Sequence, residues 1–212
     1  MDIVIFGTGE VAEVIYEYLR TDSNPIAAFT VDREYITEPF KFDIPVVPFD
    51  ELVKRYPPKS TWLCVAMSFR GINAPRAAKV AEVEALGYKC IGFIHSTVHE
   101  WEGFRVEPNT FILDNNVIQP HTTIGKNCIV WSGNHIGHHT HIGDNVFIAS
   151  HAVISGHVTI GDNTFIGVNA TIRDGITIGK RCVIGAGALV LLIVAIITNN
   201  MARSRKYQEY WF

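Results

Sequence analysis

Seven of the nine histidines in this 212-residue chain lie between His121 and His157. Imidazole titrates close to neutral pH, so a histidine held in a crevice can act as a general base, and its neutral form can also bind a transition metal. Singly, most histidines are simply polar side chains on a solvated or subunit-facing surface. His121, His139 and His157 recur at intervals of eighteen residues, and His138 takes the adjacent place in Asn134-His135-Ile136-Gly137-His138-His139. A structure with that period stacks the three on one face and sets His138 beside them.

A second constellation lies at the start of the chain. Gly7-Thr8-Gly9 joins the apolar run Asp2-Ile3-Val4-Ile5-Phe6 to the amphipathic segment Glu10–Leu19. A tight turn leading into a helix can present backbone amides to a phosphate. Val11-Ala12 stands where the dinucleotide fingerprint has its third glycine, so the turn is either a nucleotide-phosphate contact or a plain tight turn. Asp32, at the end of the next apolar run, is placed either to accept a ribose or base hydrogen bond or to start a turn.

The elements that must position these residues are legible from two periodicities. Strand patterns at Asp2–Phe6, Ile26–Val31, Thr61–Ala66 and Lys89–Ile94 alternate with helical patterns at Glu10–Leu19 and 73–86, the signature of a small Rossmann-like parallel sheet of the α/β class over residues 1–95. From Ile112 to Val190 every sixth residue is Ile or Val, with Gly often next, as at Gly125, Gly137, Gly143, Gly161, Gly167, Gly179 and Gly185. No helix has a period of six, and a plain alternating strand does not require one. Each six is one short strand and one corner. Three faces complete an eighteen-residue triangular coil, a left-handed parallel β-helix of hexapeptide repeats within residues 96–212, with the aliphatic slot pointing inward. Flat prism faces and open coil ends favour association of three copies, so a homotrimer is expected. No two histidines are five apart, as in the His-x-x-x-x-His zinc ligands of β-helical carbonic anhydrases, so no metal is expected.

Composition narrows the classes further. A net charge of −3 supplies no basic field for nucleic acid. The apolar run Ala188–Ile197 is about half of the ~20 residues a spanning helix needs, so no membrane association is expected. Cys64, Cys90, Cys128 and Cys182 form no CxxC pair, and the first residues carry no cationic leader, which points to the reducing cytoplasm.

A short nucleotide-type α/β domain joined to hexapeptide repeats resembles the sugar acyltransferases related to sialic-acid O-acetyltransferases and bacillosamine-pathway N-acetyltransferases. Gly7-Thr8-Gly9, Ile136-Gly137-His138, Val158-Thr159-Ile160-Gly161-Asp162 and Ile184-Gly185-Ala186-Gly187-Ala188 carry the likeness, which spans nearly the whole chain. The resemblance implies that the first domain holds a nucleotide-linked amino sugar, with Gly7, Thr8, Gly9, Asp32 and Ser68 as substrate contacts, and that acetyl-CoA lies in a crevice between neighbouring prisms. It implies direct N-acetyl transfer, with His138 as general base and His139 as its alternate. Gly156 is implied as an oxyanion contact, and Gly185, Ala186 and Gly187 as lining for the cofactor. The product would serve surface-glycan synthesis, such as O-antigen, lipopolysaccharide or capsule. O-acetylation of a sialic-acid-like sugar is the alternative, and a non-catalytic trimeric scaffold or sugar-binding protein the reading from another class. Two places depart from the family: His139 stands where Asp or Glu usually follows the base, and the tail is shortened to apolar residues before Asn200-Met201-Ala202-Arg203.

Overall fold

The computed structural model describes residues 1–21 and 25–192. The chain divides into two compact units, one of Met1–Ser68 with Ala78–Ile91 and the other of Phe69–Ala77 with the chain from Gly92. The tail motif at Asn200–Arg203 and most of the apolar run after Val190 lie outside the described residues.

In the first unit the elements run β1 (Asp2–Phe6), α1 (Glu10–Leu19), β2 (Ile26–Val31), β3 (Phe40–Lys41), β4 (Ile44–Pro48), α2 (Leu52–Arg55), β5 (Thr61–Val65), α3 (Ala74–Ala85, of which the part from Ala78 belongs here) and β6 (Lys89–Cys90). The sheet order is β3-β4-β2-β1-β5-β6, parallel throughout except for the β3–β4 pair. The chain lays β2 and β4 to one side of β1, then returns to place β5 and β6 on the other, so the topological switch falls between β1 and β5. Apolar residues at helical spacing in α1 turn Ala12, Ile15 and Leu19 inward. Val4, Phe6, Leu63 and Val65 from the central strands meet Val80 and Val83 of α3 in the core.

The expected closing strand Lys89–Ile94 is two strands. Lys89–Cys90 pairs with β5, whereas Phe93–Ile94 pairs in parallel with Phe111–Ile112 and opens the coil. Gly92 separates them at a point where a side chain would press to 2.7 Å on the Glu107 carbonyl. The short β3 and the proline-bearing β4 were not anticipated, because Pro39, Pro45 and Pro48 disguise an edge of the sheet.

The second unit is the left-handed parallel β-helix. Strands pair with those eighteen residues on, as in Thr123↔His141, Ile129↔Phe147 and His135↔Val153, which builds three parallel sheets. The aliphatic slot from Ile112 to Val190 is buried throughout and forms one continuous core with Cys128, Val146, Ala152 and Val158. At roughly 1.5–3 kcal/mol for each fully buried aliphatic side chain, this column is the coil's principal stabilisation. Where the second inward slot is threonine, its hydroxyl donates to a carbonyl fifteen residues on: Thr122 to Gly137 at 2.9 Å, Thr140 to Ser155 at 3.0 Å and Thr164 to Gly179 at 2.9 Å. Burial of these polar groups is thereby compensated.

The corners explain a pattern that periodicity alone leaves unread. Three residues before each inward aliphatic, the backbone adopts φ near +55° to +65° at Asn109, Asn115, His121, Asn127, His139, Asn145, His151, His157, Asn163, Asn169 and Arg181, and glycine fills the slot at Gly133, Gly175 and Gly187. Asn and His are enriched among the side chains that tolerate this left-handed conformation. On one corner the asparagines form a ladder, Asn109 Nδ2 donating to Asn127 Oδ1 and Asn127 Nδ2 to Asn145 Oδ1, both at 2.7 Å. The fully buried Arg76 joins it, its Nε donating to Asn127 Oδ1 at 3.2 Å and its Nη2 to the Asn127 carbonyl at 3.1 Å. Phe69 packs its ring 5.1 Å from Phe147 and 4.8 Å from Phe165.

Candidate active site

The histidine column predicted by the eighteen-residue spacing stands on another corner, between strands His135–Ile136 and His141–Ile142. His121 and His139 have ring centroids 4.6 Å apart, and His139 and His157 stack at 4.9 Å with planes 14° apart. His138 meets this column edge-on, 5.3 Å from His139 and 5.0 Å from His157. Its backbone amide donates to Gln119 Oε1 at 3.0 Å, and its carbonyl accepts from the His157 amide at 2.9 Å.

The Nδ1 atoms of His138 and His139 lie 3.1 Å apart. One of them must carry the proton and the other the lone pair. Partial loss of solvation among the stacked rings, followed by the neighbouring His121, His157, His138 and His141, holds the pKa of the exposed His139 below its ordinary value, which keeps its imidazole neutral at neutral pH and fit to accept. If His139 accepts, the His138 Nε2 bears a free lone pair.

Gly156 follows His138 by eighteen residues and Asp174 follows Gly156 by the same interval, so the three form a second column. A Cβ on the buried Gly156 would lie 2.8 Å from His138 Nε2 and 3.0 Å from Asp174 Oδ1. Glycine at 156 therefore opens a notch bounded by an imidazole above and a carboxylate below. Asp174 escaped sequence reasoning, although the interval that groups His121, His139 and His157 also selects it. Gly185, Ala186 and Gly187 are exposed and lie at the other edge of the face that ends at His138–His139, toward the C-terminal end of the described coil. Within one chain they are not brought to the notch.

In the first unit, Gly7–Gly9, Asp32 and Ser68 follow the carboxyl ends of β1, β2 and β5, neighbouring strands around the topological switch. In open parallel sheets this is where ligands bind. Gly7 has φ +122°, and a Cβ there would press to 2.7 Å on the Ala66 carbonyl, so no other residue fits. Gly9 caps α1, and apart from its chain neighbours nothing stands within 4 Å of the place its Cβ would take. The helix end is thus open, with Glu10 and Glu13 in its first turn and Glu13 paired to Lys41 at 2.6 Å. Asp32 accepts from Lys79 Nζ at 3.0 Å, an ion pair the sequence did not reveal. Burial works against the Lys79 charge, yet hydrogen bonds to Glu82 and Asp32 hold its pKa above the ordinary value. Ser68 is half-buried beyond β5.

The repeats match two families, one described as bacterial transferase hexapeptide (six repeats), over residues 105–138 and 121–156, and one described as hexapeptide repeat of succinyl-transferase, over residues 157–191. Among solved structures, PerB from Caulobacter crescentus in complex with CoA and GDP-perosamine is similar over 92% of this chain and 90% of its own, at TM-score 0.81 and 25% identity. The acetyltransferase domain of PglB from Neisseria gonorrhoeae is similar over 92% and 93%, at 0.80 and 22%. WeeI from Acinetobacter baumannii is similar over 92% and 93%, at 0.80 and 19%. No curated protein sequence matches. These likenesses bear out the resemblance to the sugar O- and N-acyltransferases read from the sequence, the fold that accompanies it and the acyltransferase class.

Proposed function

We propose that this chain transfers the acetyl group of acetyl-CoA to the amino group of a nucleotide-linked amino sugar used in surface-glycan synthesis, by direct attack without an acyl-enzyme. The observation that carries the reading is the His138–His139 pair at 3.1 Å beside the notch at Gly156. His139 accepts the Nδ1 proton of His138, leaving Nε2 to receive a proton from the sugar amine as its nitrogen attacks the thioester carbonyl. A backbone amide at Gly156 stabilises the oxyanion. Collapse of the intermediate breaks the C–S bond, and His138 returns its proton to the departing CoA thiolate. The first domain, residues 1–95, holds the nucleotide sugar through Gly7, Thr8, Gly9, Asp32 and Ser68. The second, residues 96–212, carries the catalytic pair, and Gly185–Gly187 lines the CoA path of a neighbouring copy in a homotrimer. The CoA and GDP-perosamine held by PerB support both substrate classes.

A panel of UDP-, GDP-, TDP- and CMP-linked amino sugars incubated with acetyl-CoA tests this, read by thiol release and by the mass of the product. One amino sugar is expected to turn over to its N-acetyl form. Acetylation of a sugar lacking an amine would replace the reading with O-acetyl transfer, and no turnover with any member would favour a binding or scaffold protein.

A further inference from the structure

Of the clustered histidines, His121, His139 and His157 occupy the left-handed corner slot, where the backbone alone accounts for the residue type. His138 does not. Its column is otherwise Pro120, Gly156 and Asp174, so no conformational demand places an imidazole there. The result is three exposed imidazoles, those of His138, His139 and His157, with one ligand nitrogen from each inside a 4.8 Å sphere of mutual distance. The two Nδ1 atoms at 3.1 Å already stand close to the edge of roughly 3.3 Å that a tetrahedral zinc ion with Zn–N bonds of about 2.0–2.1 Å requires. His157 is exposed, and its ligand nitrogen lies within 4.8 Å of the other two.

We propose that His138, His139 and His157 form a binding site for a divalent transition-metal ion of the zinc or cobalt type, with water completing the coordination on the open side. Three neutral imidazoles suit such ions and not Mg2+ or Ca2+, which prefer oxygen. A search for closely spaced ligands such as His-x-x-x-x-His misses the site because its ligands come from two successive coils, which only the interval of eighteen brings together. An ion there takes the His139 Nδ1 lone pair that accepts from His138 and requires His138 to carry its proton on Nε2 in place of Nδ1, so its consequence, loss of acetyl transfer, rests on the function proposed above; the binding itself does not.

The test uses the full chain stripped with a chelator. Equilibrium dialysis against Zn2+, and the visible absorption of Co2+, should report one saturable ion per chain. H157N keeps a residue that the corner accepts, as at Asn163 and Asn169. It should weaken binding roughly tenfold or more, since even loss of an outer partner of a metal ligand commonly costs 10- to 100-fold. H151N, altered in the same slot on a different corner, should bind as wild type. Absence of saturable binding, wild-type affinity in H157N or an equal loss in H151N would overturn the site. Zn2+ should also inhibit acetyl transfer by the wild type and spare H157N; Zn2+ bound without inhibition would count against His138 as base and leave the metal site standing.

Discussion

His139 stands where the sugar acyltransferases that the sequence resembles carry Asp or Glu, and in the proposed mechanism an imidazole and a carboxylate would do different things to His138. A carboxylate accepts the Nδ1 proton and stabilises the imidazolium that forms on the other nitrogen, whereas a neutral imidazole accepts the proton without adding charge. We therefore expect His138→Ala to lower kcat by roughly 10²- to 10⁴-fold with both KM values little changed, because the proton moves only in the transition state. His139→Ala should be milder, and His139→Asp should retain or raise kcat. If His139→Ala is the more damaging and His138→Ala is near wild type, the base is misassigned. The rate should fall on acidification, since a protonated His139 has no lone pair for His138. Its folded pKa lies below the ordinary 6.5, so the unfolded chain takes up the proton first as pH falls. The stability His139 contributes is thus present above that value and lost as pH drops through the folded pKa. Much of this site was legible from the interval of eighteen that stacks the column. The contact between His138 and His139 was not, because it depends on the left-handed corner at His139 turning two adjacent side chains toward one another.

The elements were read well wherever one periodicity governs a whole segment and poorly where a segment serves two partners. The coil's register and helix α1 follow directly from periods of six and of 3.6. Lys89–Ile94 looked like a single strand because the sequence cannot say which sheet each half joins. Arg76 was equally invisible: in a helical pattern it reads as a solvated charge, yet it is fully buried and donates to oxygens of the asparagine corner. Desolvation lowers its pKa to about 10, which leaves it charged at neutral pH. Hydrogen bonds from a charged donor contribute about 1.5–3 kcal/mol each, partly offset by the burial of the charge. Arg76→Ala should therefore destabilise the chain by about 3 kcal/mol in denaturant titration, and a loss under about 0.5 kcal/mol, the level of an ordinary surface substitution, would show the bonds to be incidental. In the first unit the open cap at Gly9 makes a different prediction. Gly9→Phe should raise the KM for the nucleotide sugar and leave that for acetyl-CoA nearly unchanged; equal effects on both would indicate damage to the domain and not to a binding contact.

For the molecule as a whole, the three faces of the prism differ in what they leave outside. On one, Phe111, Ile129, Phe147 and Phe165 point outward but are buried, with Phe69 lying against the last two. A second presents Thr123, His141, Thr159 and Thr177, polar and largely exposed. The third carries Val117, His135, Val153, Thr171 and Leu189, and here Val153 is 42% and Leu189 63% exposed in the single chain. Apolar side chains spread along a flat face are the pattern expected of a surface that packs on copies of itself. The His138–His139 pair stands at one edge of this face and Gly185–Gly187 at the other, so packing the faces around a threefold axis, as proposed, would set the histidine edge of one copy near the glycine edge of the next. We expect light scattering at micromolar concentration to return three times the chain mass of 23.6 kDa. Val153→Glu and Leu189→Glu, which introduce like charges where copies meet, should each lower that mass toward the monomer and abolish acetyl transfer, while the circular dichroism of the coil persists. A wild-type monomer that is fully active would instead confine the whole active site to one chain, and would require acetyl-CoA to reach the Gly156 notch without help from a neighbour.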